Sequence, residues 1–489
     1  MKKIINQYKL WNPSKLATIV ILLMPFLFYF FIDFKIDNDF WFLVNTGKEI
    51  VRNGFIVIEP FTIHEGLFFI AQQWLTDIIF YFLYKNFDIY GMYFLVLLVN
   101  TLVIFLFYKI TYLMSGSRKR ALLITAILDL LVVFVRVLTT RPQMFDLIVF
   151  SLELLFLELY IKNSKKKYLY FIPLLSLFLI NAHASMWLMI FVLMIPYYIE
   201  YYWNKYKKKK TFDIMPLIIV SIVSLVCGLI NPYGIEAIKY FFNSYGIKKI
   251  DLLVNEMKQV TLINNVGIIV YMVIASLLYS FYYNKGNNKI RHLLLMIGII
   301  FLTLQHYKSF IYLLIICPII LGNNFNNERQ VKEVKSSLLE KIIYVTMIVS
   351  LLGLVIFKTN LSDGVDIKEF ADYLDKNASY DIKLFTDYNN GSYMEYRGYK
   401  CYIDPRAEVF LKSNNKKEDI YDEYYNLYVD DINIEKFLDK YHFDYLLVDN
   451  KLKYLLKELQ NNSEYEEVLS KKNKNDEKTY LFKRIKEVN

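Results

Sequence analysis

The sequence predicts an α-helical polytopic membrane protein with about eleven transmembrane helices and a C-terminal soluble α/β domain. Three observations predict this class. The 489 residues are 56% apolar and 17% aromatic, too apolar for one soluble domain. Runs of about 18 or more apolar residues recur along the chain, the length a helix needs to cross a bilayer. After Lys358 the character changes: residues 361–489 are rich in Asp, Lys, Asn and Tyr, and the segment has the size of one soluble domain. The expected organisation is a transmembrane domain over 1–360, with an outer loop at 35–90, and a soluble domain over 361–489.

The apolar runs fall at 16–34, 91–114, 121–138, 143–161, 168–185, 187–203, 213–230, 263–284, 291–304, 308–323 and 341–358. The first follows the basic start MKKIINQYKLWNPSK and ends in FYFFIDF; it is too long for a signal-peptide core and reads as a retained helix. The segment QQWLTDIIFYFLYKNF (72–87) is apolar over only about 14 residues and contains Asp77. That suits an interfacial or re-entrant helix better than a span. Charge then decides the topology. With 72–87 not spanning, the segments 1–15, 115–120, 162–167, 204–210, 285–291 and 324–341 share one side and hold 23 Lys/Arg in 59 residues. The opposite segments hold 11 in 103. The positive-inside rule places the basic set, and the N-terminus, in the cytoplasm. The 35–90 loop, Arg141, His183, Asn231 to Gly234, His306, Lys308 and the C-terminal domain then share the outer face.

The net charge of +10 is loop charge of this kind and does not point to nucleic acid. Three cysteines are too few for a disulfide framework. The Lys/Asn/Ile-rich, Gly-poor composition suggests an AT-rich bacterial genome, so the expected location is a bacterial plasma membrane.

Asp37 and Asp39 stand where the chain leaves its first apolar run. In an extended segment residues two apart point the same way, so both carboxylates would meet one cation or one substrate. Two carboxylate oxygens suit Mg²⁺ or Mn²⁺, which share their remaining positions with phosphate and water; one acid would otherwise serve as a general base. An acidic surface loop is the plain alternative. Phe40, Trp41, Leu43, Val44, Ile50 and Val51 then form an amphipathic helix at headgroup level, stopped by Gly54. Arg141, before Pro142, offers a guanidinium for a lipid phosphate or an anchor to headgroups, and Arg136 competes for that role. His183 lies between two spans with almost no loop, as a metal or proton ligand or as a hydrogen-bonded packing residue. His306 and Lys308 form a polar break suited to phosphate. Asn231-Pro-Tyr-Gly234 reads as a turn. Asp129, Asp146, Glu153 and Glu158 are acids inside apolar runs, and Asp146 is expected to pair with Arg141.

The order of motifs carries a resemblance. D-x-D-x-W at 37–41 is followed by N-G-x-x-x-x-E-P-F-T (53–62), Q-W-L (73–75), RPQMF (141–145), INAHASMW (180–187), NPYG (231–234), NNGSYMEY and YIDPRAE (389–408). The chain resembles, over nearly its whole length, a bacterial polytopic membrane protein family related to the GT-C glycosyltransferases. That group includes aminoarabinose transferases, protein O-mannosyltransferases and oligosaccharyltransferase catalytic subunits. The resemblance implies an essential acid in the first outer loop, matching Asp37 and Asp39, and juxtamembrane helices after it. It implies an inverting transfer of sugar from a polyprenyl-phosphate donor to a glycan, lipid or protein acceptor at the outer face. Lys308 departs from the arginine usual near that position and lacks its bidentate fork. A transporter or flippase, or a non-catalytic scaffold of a surface-polysaccharide pathway, remains the alternative.

In the C-terminal part, IKLFTDY and FDYLLVDN read as strands, DIKEFADYLDKN and DINIEKFLDKYH as amphipathic helices, and YEEVLSKK with KTYLFKRI as a hairpin. Asp404 and Arg406 either line an acceptor groove or pair to fix a turn.

Overall fold

Helix length and one backbone break explain how the first loop is built. A computed structural model describes residues 18, 34–244, 258–262, 265–283, 288–323, 361–472 and 478–485. The helix Trp74–Ser115 contains Asp88 at φ 52 and ψ −148, a region that residues other than glycine rarely enter. The segment before the break rises about 21 Å, short of a hydrocarbon core of roughly 30 Å; the segment after it rises about 40 Å. The chain therefore breaks between the apolar segments 72–87 and 91–114.

The chain forms two compact units. The first comprises Met1–Phe34, Met92–Ile230 and Val254–Leu361; the second comprises Lys35–Gly91, Asn231–Leu253 and Ser362–Asn489. The 35–91 loop thus groups with the C-terminal residues, whereas the sequence had attached it to the transmembrane domain.

The first unit is helical. After Trp74–Ser115 come Arg118–Phe134, Gln143–Asn163, Ile172–Ala182, Met189–Tyr206, Met215–Cys227, Asn265–Tyr283, Ile290–Gln305 and Phe310–Asn323. Three runs among the described residues are long and apolar enough to cross a membrane: Trp74–Ser115, Ala184–Tyr206 and Val266–Tyr283. Phe310–Asn323 is apolar all round and buried along nearly its whole length, as a central helix should be. Leu98, Leu102, Phe105, Ile219 and Ile222 stay about half exposed, as hydrocarbon-facing side chains of a membrane protein do. Several expected bounds shift. The run at 121–138 ends at Phe134, and Arg136 turns the chain at φ 53. The run at 168–185 is a 3-10 turn, Lys166–Phe171, followed by a shorter helix. The expected spans 16–34 and 341–358 lie essentially outside the described residues, as does Glu256.

The second unit is built on a mixed five-stranded sheet. Labelling the strands Lys383–Phe385 (β1), Lys400–Cys401 (β2), Tyr445–Asp449 (β3), Tyr465–Lys472 (β4) and Lys478–Arg484 (β5), the order is β2-β1-β3-β5-β4. β1 runs parallel to β2 and β3; β5 runs antiparallel to β3 and β4. Both strands, both helices and the final hairpin read from the sequence are present. The YLLVD strand is buried except at its last residue, because it lies between two neighbours. Phe385, Tyr402, Phe437, Tyr441 and Phe443 form one aromatic core with ring centroids 5.1–6.0 Å apart.

Helix Phe40–Asn53 belongs to this unit and buries its apolar face. Gly54, at φ 85, accepts the stop, with its N–H donating to Ile50 O at 2.9 Å. Gly391 begins helix Gly391–Arg397 against β2's continuation: a Cβ there would lie 1.9 Å from the Ile403 carbonyl oxygen. Gly391→Ala should therefore cost about 1–3 kcal/mol. Gly298→Ala, in an open helical position, should be neutral or stabilising by up to about 1 kcal/mol. Thermal unfolding of the detergent-solubilised protein distinguishes the two; equal midpoints would contradict the close approach at Gly391.

Candidate functional site

The two acids of the first loop lie in a turn. Asp39 occupies the position before helix Phe40–Asn53 with φ −66 and ψ −19, so the extended geometry expected for Asp37 and Asp39 is replaced by a turn entering a helix. The Asp39 N–H donates to Asp37 Oδ1 at 3.0 Å, and the Phe40 N–H to Asp37 O at 3.1 Å. Both acids are half-buried. The positive end of the helix favours negative charge at this point.

A remote segment holds the turn. The Ser392 hydroxyl donates to Asn38 O at 3.1 Å. Trp41 packs on Tyr393 and Tyr396 at 5.0 and 4.8 Å between centroids. The D-x-D-x-W and NNGSYMEY motifs, some 350 residues apart, thus meet in one unit. Asp387 shapes the start of the second motif, accepting from the Asn389 and Asn390 N–H groups at 2.9 and 3.2 Å. Burial and Asp449 push its carboxyl up to about 6. Burial first, then Tyr421 and Asp39, push the Tyr388 hydroxyl well above its ordinary value, which places Asp39 within electrostatic reach of Tyr388.

A second pair of motifs meets beside the first. Arg406 is almost fully buried. Its Nε donates to Asp404 Oδ1 and Oδ2 at 3.0 and 3.1 Å, and its Nη2 to Glu59 Oε1 at 2.8 Å. Phe61 and Phe69 each lie 5.1 Å from the guanidinium. Glu59 in turn accepts from the Phe61 and Thr62 N–H groups and the Thr62 hydroxyl at 2.7–3.0 Å. Burial and Asp404 raise the Glu395 carboxyl, whose Oε2 is 3.8 Å from Arg406 Nη2, well above its usual range. Thr62 bridges to Cys401, and the Ile63 N–H donates to Cys401 O at 3.0 Å, so the loop extends the sheet edge. Asp404 and Arg406 therefore pair in a buried structural cluster, the plainer of the two expectations.

In the first unit the expected phosphate ligands are placed at helix ends. Arg141 stands two residues before helix Gln143–Asn163, and the Met144 N–H donates to its carbonyl at 3.2 Å. His183 separates Ile172–Ala182 from the next helical turn. His306 follows Ile290–Gln305, and Lys308 lies in the turn before Phe310–Asn323. Asp146, expected to pair with Arg141, binds His183 Nδ1 at 2.9 and 3.0 Å and accepts from Tyr312 OH at 3.2 Å. The charge of Lys308 also reaches Asp146. Asp146, His183 and Tyr312 thus gather, and Tyr312 is the member that spacing missed. The NPYG segment is the expected turn, the Tyr233 N–H donating to Asn231 Oδ1 at 2.9 Å.

At the other end of helix Gln143–Asn163, Glu158 receives a bidentate pair from Arg291 at 2.8 Å and contacts with His292 Nε2 and Tyr197 OH at 3.0 Å. Arg291 also pairs with Glu200. Among the described residues, no group of three or more His, Cys, Asp and Glu forms a metal cluster.

No family model matches the sequence, and no curated protein matches it. Among solved structures the chain is similar to the archaeal oligosaccharyltransferase AglB from Archaeoglobus fulgidus, in complex with an inhibitory peptide and a dolichol-phosphate. The likeness has a TM-score of 0.53, covers 89% of this chain and 70% of that one, and carries 10% identity. At this identity the likeness shows a shared fold.

Two predictions follow from the second unit's geometry. Arg406→Met would leave Asp404 and Glu59 buried without their cation, a loss of about 3–5 kcal/mol, read as a lowered unfolding midpoint or loss of folded protein. His64, partly buried with Nε2 2.8 Å from Tyr402 O, is lowered from 6.5 chiefly by burial. Its neutral form is the folded form. Stability is therefore full above about pH 6.5 and declines as pH falls through the lowered value. His64→Gln should flatten the unfolding midpoint between pH 7 and 5; an unchanged slope would remove His64 as the cause.

Proposed function

We propose that the protein is an inverting membrane glycosyltransferase that moves a sugar from a polyprenyl-phosphate donor to a glycan, lipid or protein acceptor at the outer face of a bacterial plasma membrane. The observation that carries this reading is the acid turn Asp37–Asp39, clamped by Ser392 and by the Trp41–Tyr393–Tyr396 stack in a chain of GT-C fold. The dolichol-phosphate bound by the archaeal neighbour is a lipid phosphate of the class the reading requires.

In this reading one acid accepts the proton of an acceptor hydroxyl or amide as that atom bonds to the anomeric carbon. The bond from that carbon to the phosphate oxygen breaks on the opposite face, which inverts the centre and releases polyprenyl phosphate. A Mg²⁺ or Mn²⁺ ion at Asp37 and Asp39, when bound, would polarise phosphate oxygens as a Lewis acid. Arg141 and Lys308 supply cations for the lipid phosphate. His183 is oriented by Asp146 through Nδ1 and joins that set, as does His306, two residues before Lys308.

The transport reading leaned on acids inside the apolar helices. Glu158 loses that weight, because Arg291 neutralises it. A scaffold would tolerate changes at the acid turn; a transferase would not. Asp39→Asn is expected to lower transfer about 100-fold or more while expression and unfolding midpoint stay near wild type. The readout is mass spectrometry of polyprenyl-phosphate sugars in a deletion strain complemented by wild type, Asp37→Asn or Asp39→Asn. One lipid-linked sugar should accumulate in the deletion and the variants alone. Unchanged pools in every strain would sink the donor assignment.

A further inference from the structure

At the end of helix Gln143–Asn163 remote from Arg141, a groove of about 500 Å³ opens between that helix and the 3-10 turn Lys166–Phe171. It is lined by Phe156, Lys167, Tyr168, Tyr170, Phe171 and Leu174. Its apolar part is formed by Phe156 and Phe171, stacked at 5.1 Å, and by Leu174. Phe171, Leu174 and Tyr170 are largely exposed, more than a soluble surface would leave uncovered in one place. Lys167 lines the groove and follows Lys165 and Lys166 in sequence, all three exposed; Lys166 Nζ also lies 3.9 Å from Asp213 Oδ2. Lys167 Nζ lies 5.4 Å from the Tyr168 ring centroid.

These features have one physical order. Tyr and Lys side chains collect at headgroup depth, where an apolar body and a polar tip are both satisfied. Phe156 lies about 10 Å further down the helix from Asn163, at acyl-chain depth. An apolar slot that leads upward into three cations matches a ligand with a hydrocarbon tail and a negative head. We propose that this groove binds an anionic phospholipid, with an acyl chain along Phe156, Phe171 and Leu174 and its phosphate at Lys165–Lys167. The site is independent of the transferase reading. The cations assigned there to a donor phosphate stand at the opposite end of the same helix, roughly 30 Å away along its axis.

The test uses the full chain in detergent and native mass spectrometry with added phosphatidylglycerol, phosphatidylcholine or a polyprenyl phosphate. Wild type should retain phosphatidylglycerol several-fold more than phosphatidylcholine. The triple variant Lys165→Gln/Lys166→Gln/Lys167→Gln should lose about 100-fold in retention, in line with roughly 1 kcal/mol for each of three cations close to the head. Leu174→Trp, which fills the slot and leaves the charges, should lose it as well. Equal retention of the two phospholipids overturns the proposal. So does a triple variant that binds like wild type with an unchanged unfolding midpoint. Loss in the triple variant but not in Leu174→Trp shows headgroup attraction without the groove, and also overturns it. Preferential retention of the polyprenyl phosphate, sensitive to both changes, would assign the groove to a donor-type lipid instead.

Discussion

The second unit depends on a cation that has no access to water. A guanidinium removed from solvent costs several kcal/mol unless its hydrogen bonds are met by acceptors of opposite charge. Arg406 meets that cost with Asp404 from its own turn and Glu59 from the first loop, between two aromatic faces. Glu59 is itself fixed by the N–H groups of its own turn. A shift of the 59–69 loop would strand charge on both sides. The loop therefore has one low-energy position on the sheet edge, which Thr62 and Ile63 extend beside Cys401. This constraint makes residues 35–91 and 362–489 one folded object rather than a loop and a separate domain.

The acid turn uses a different principle. Its contacts with NNGSYMEY include a hydroxyl to a main-chain carbonyl and a stack of aromatic rings. Aromatic packing of this kind adds about 0.5–1.5 kcal/mol per pair beyond burial and is insensitive to charge. The main chain at Asn38 is thereby held by a neutral hydrogen bond beside aromatic packing. Gly47 completes the support. Its missing Cβ, which would come within 2.1 Å of the Asp77 carbonyl oxygen, lets helix Phe40–Asn53 press against the start of Trp74–Ser115.

Local features were legible in the sequence because their causes are local. The amphipathic helix at 40–53, its stop at Gly54, the short segment before Asp88, the NPYG turn and the strands and hairpin of 383–484 all follow from periodicity and turn chemistry. Spacing misled at Asp37 and Asp39, because period-two logic holds only in extended backbone and Asp39 is helical in φ and ψ. It also misled at Asp146, where one turn of helix favoured Arg141 and the folded chain brings His183 and Tyr312. The pairing of Glu59 with Arg406 was not legible: each motif was noticed, but no local rule joins residues 347 positions apart. A buried arginine demands acceptors without saying which ones.

The two acids are not equivalent, and the turn shows why. Asp37 accepts the Asp39 N–H through its carboxylate. Its charge is thus spent partly on shaping the turn that presents Asp39. The Asp39 side chain makes no capping bond to the helix it precedes and contributes its amide to the turn. Asp37→Ala would remove that acceptor and disturb the turn, whereas Asp37→Asn keeps an oxygen for the Asp39 N–H. A lesion at Asp39 leaves that hydrogen bond in place.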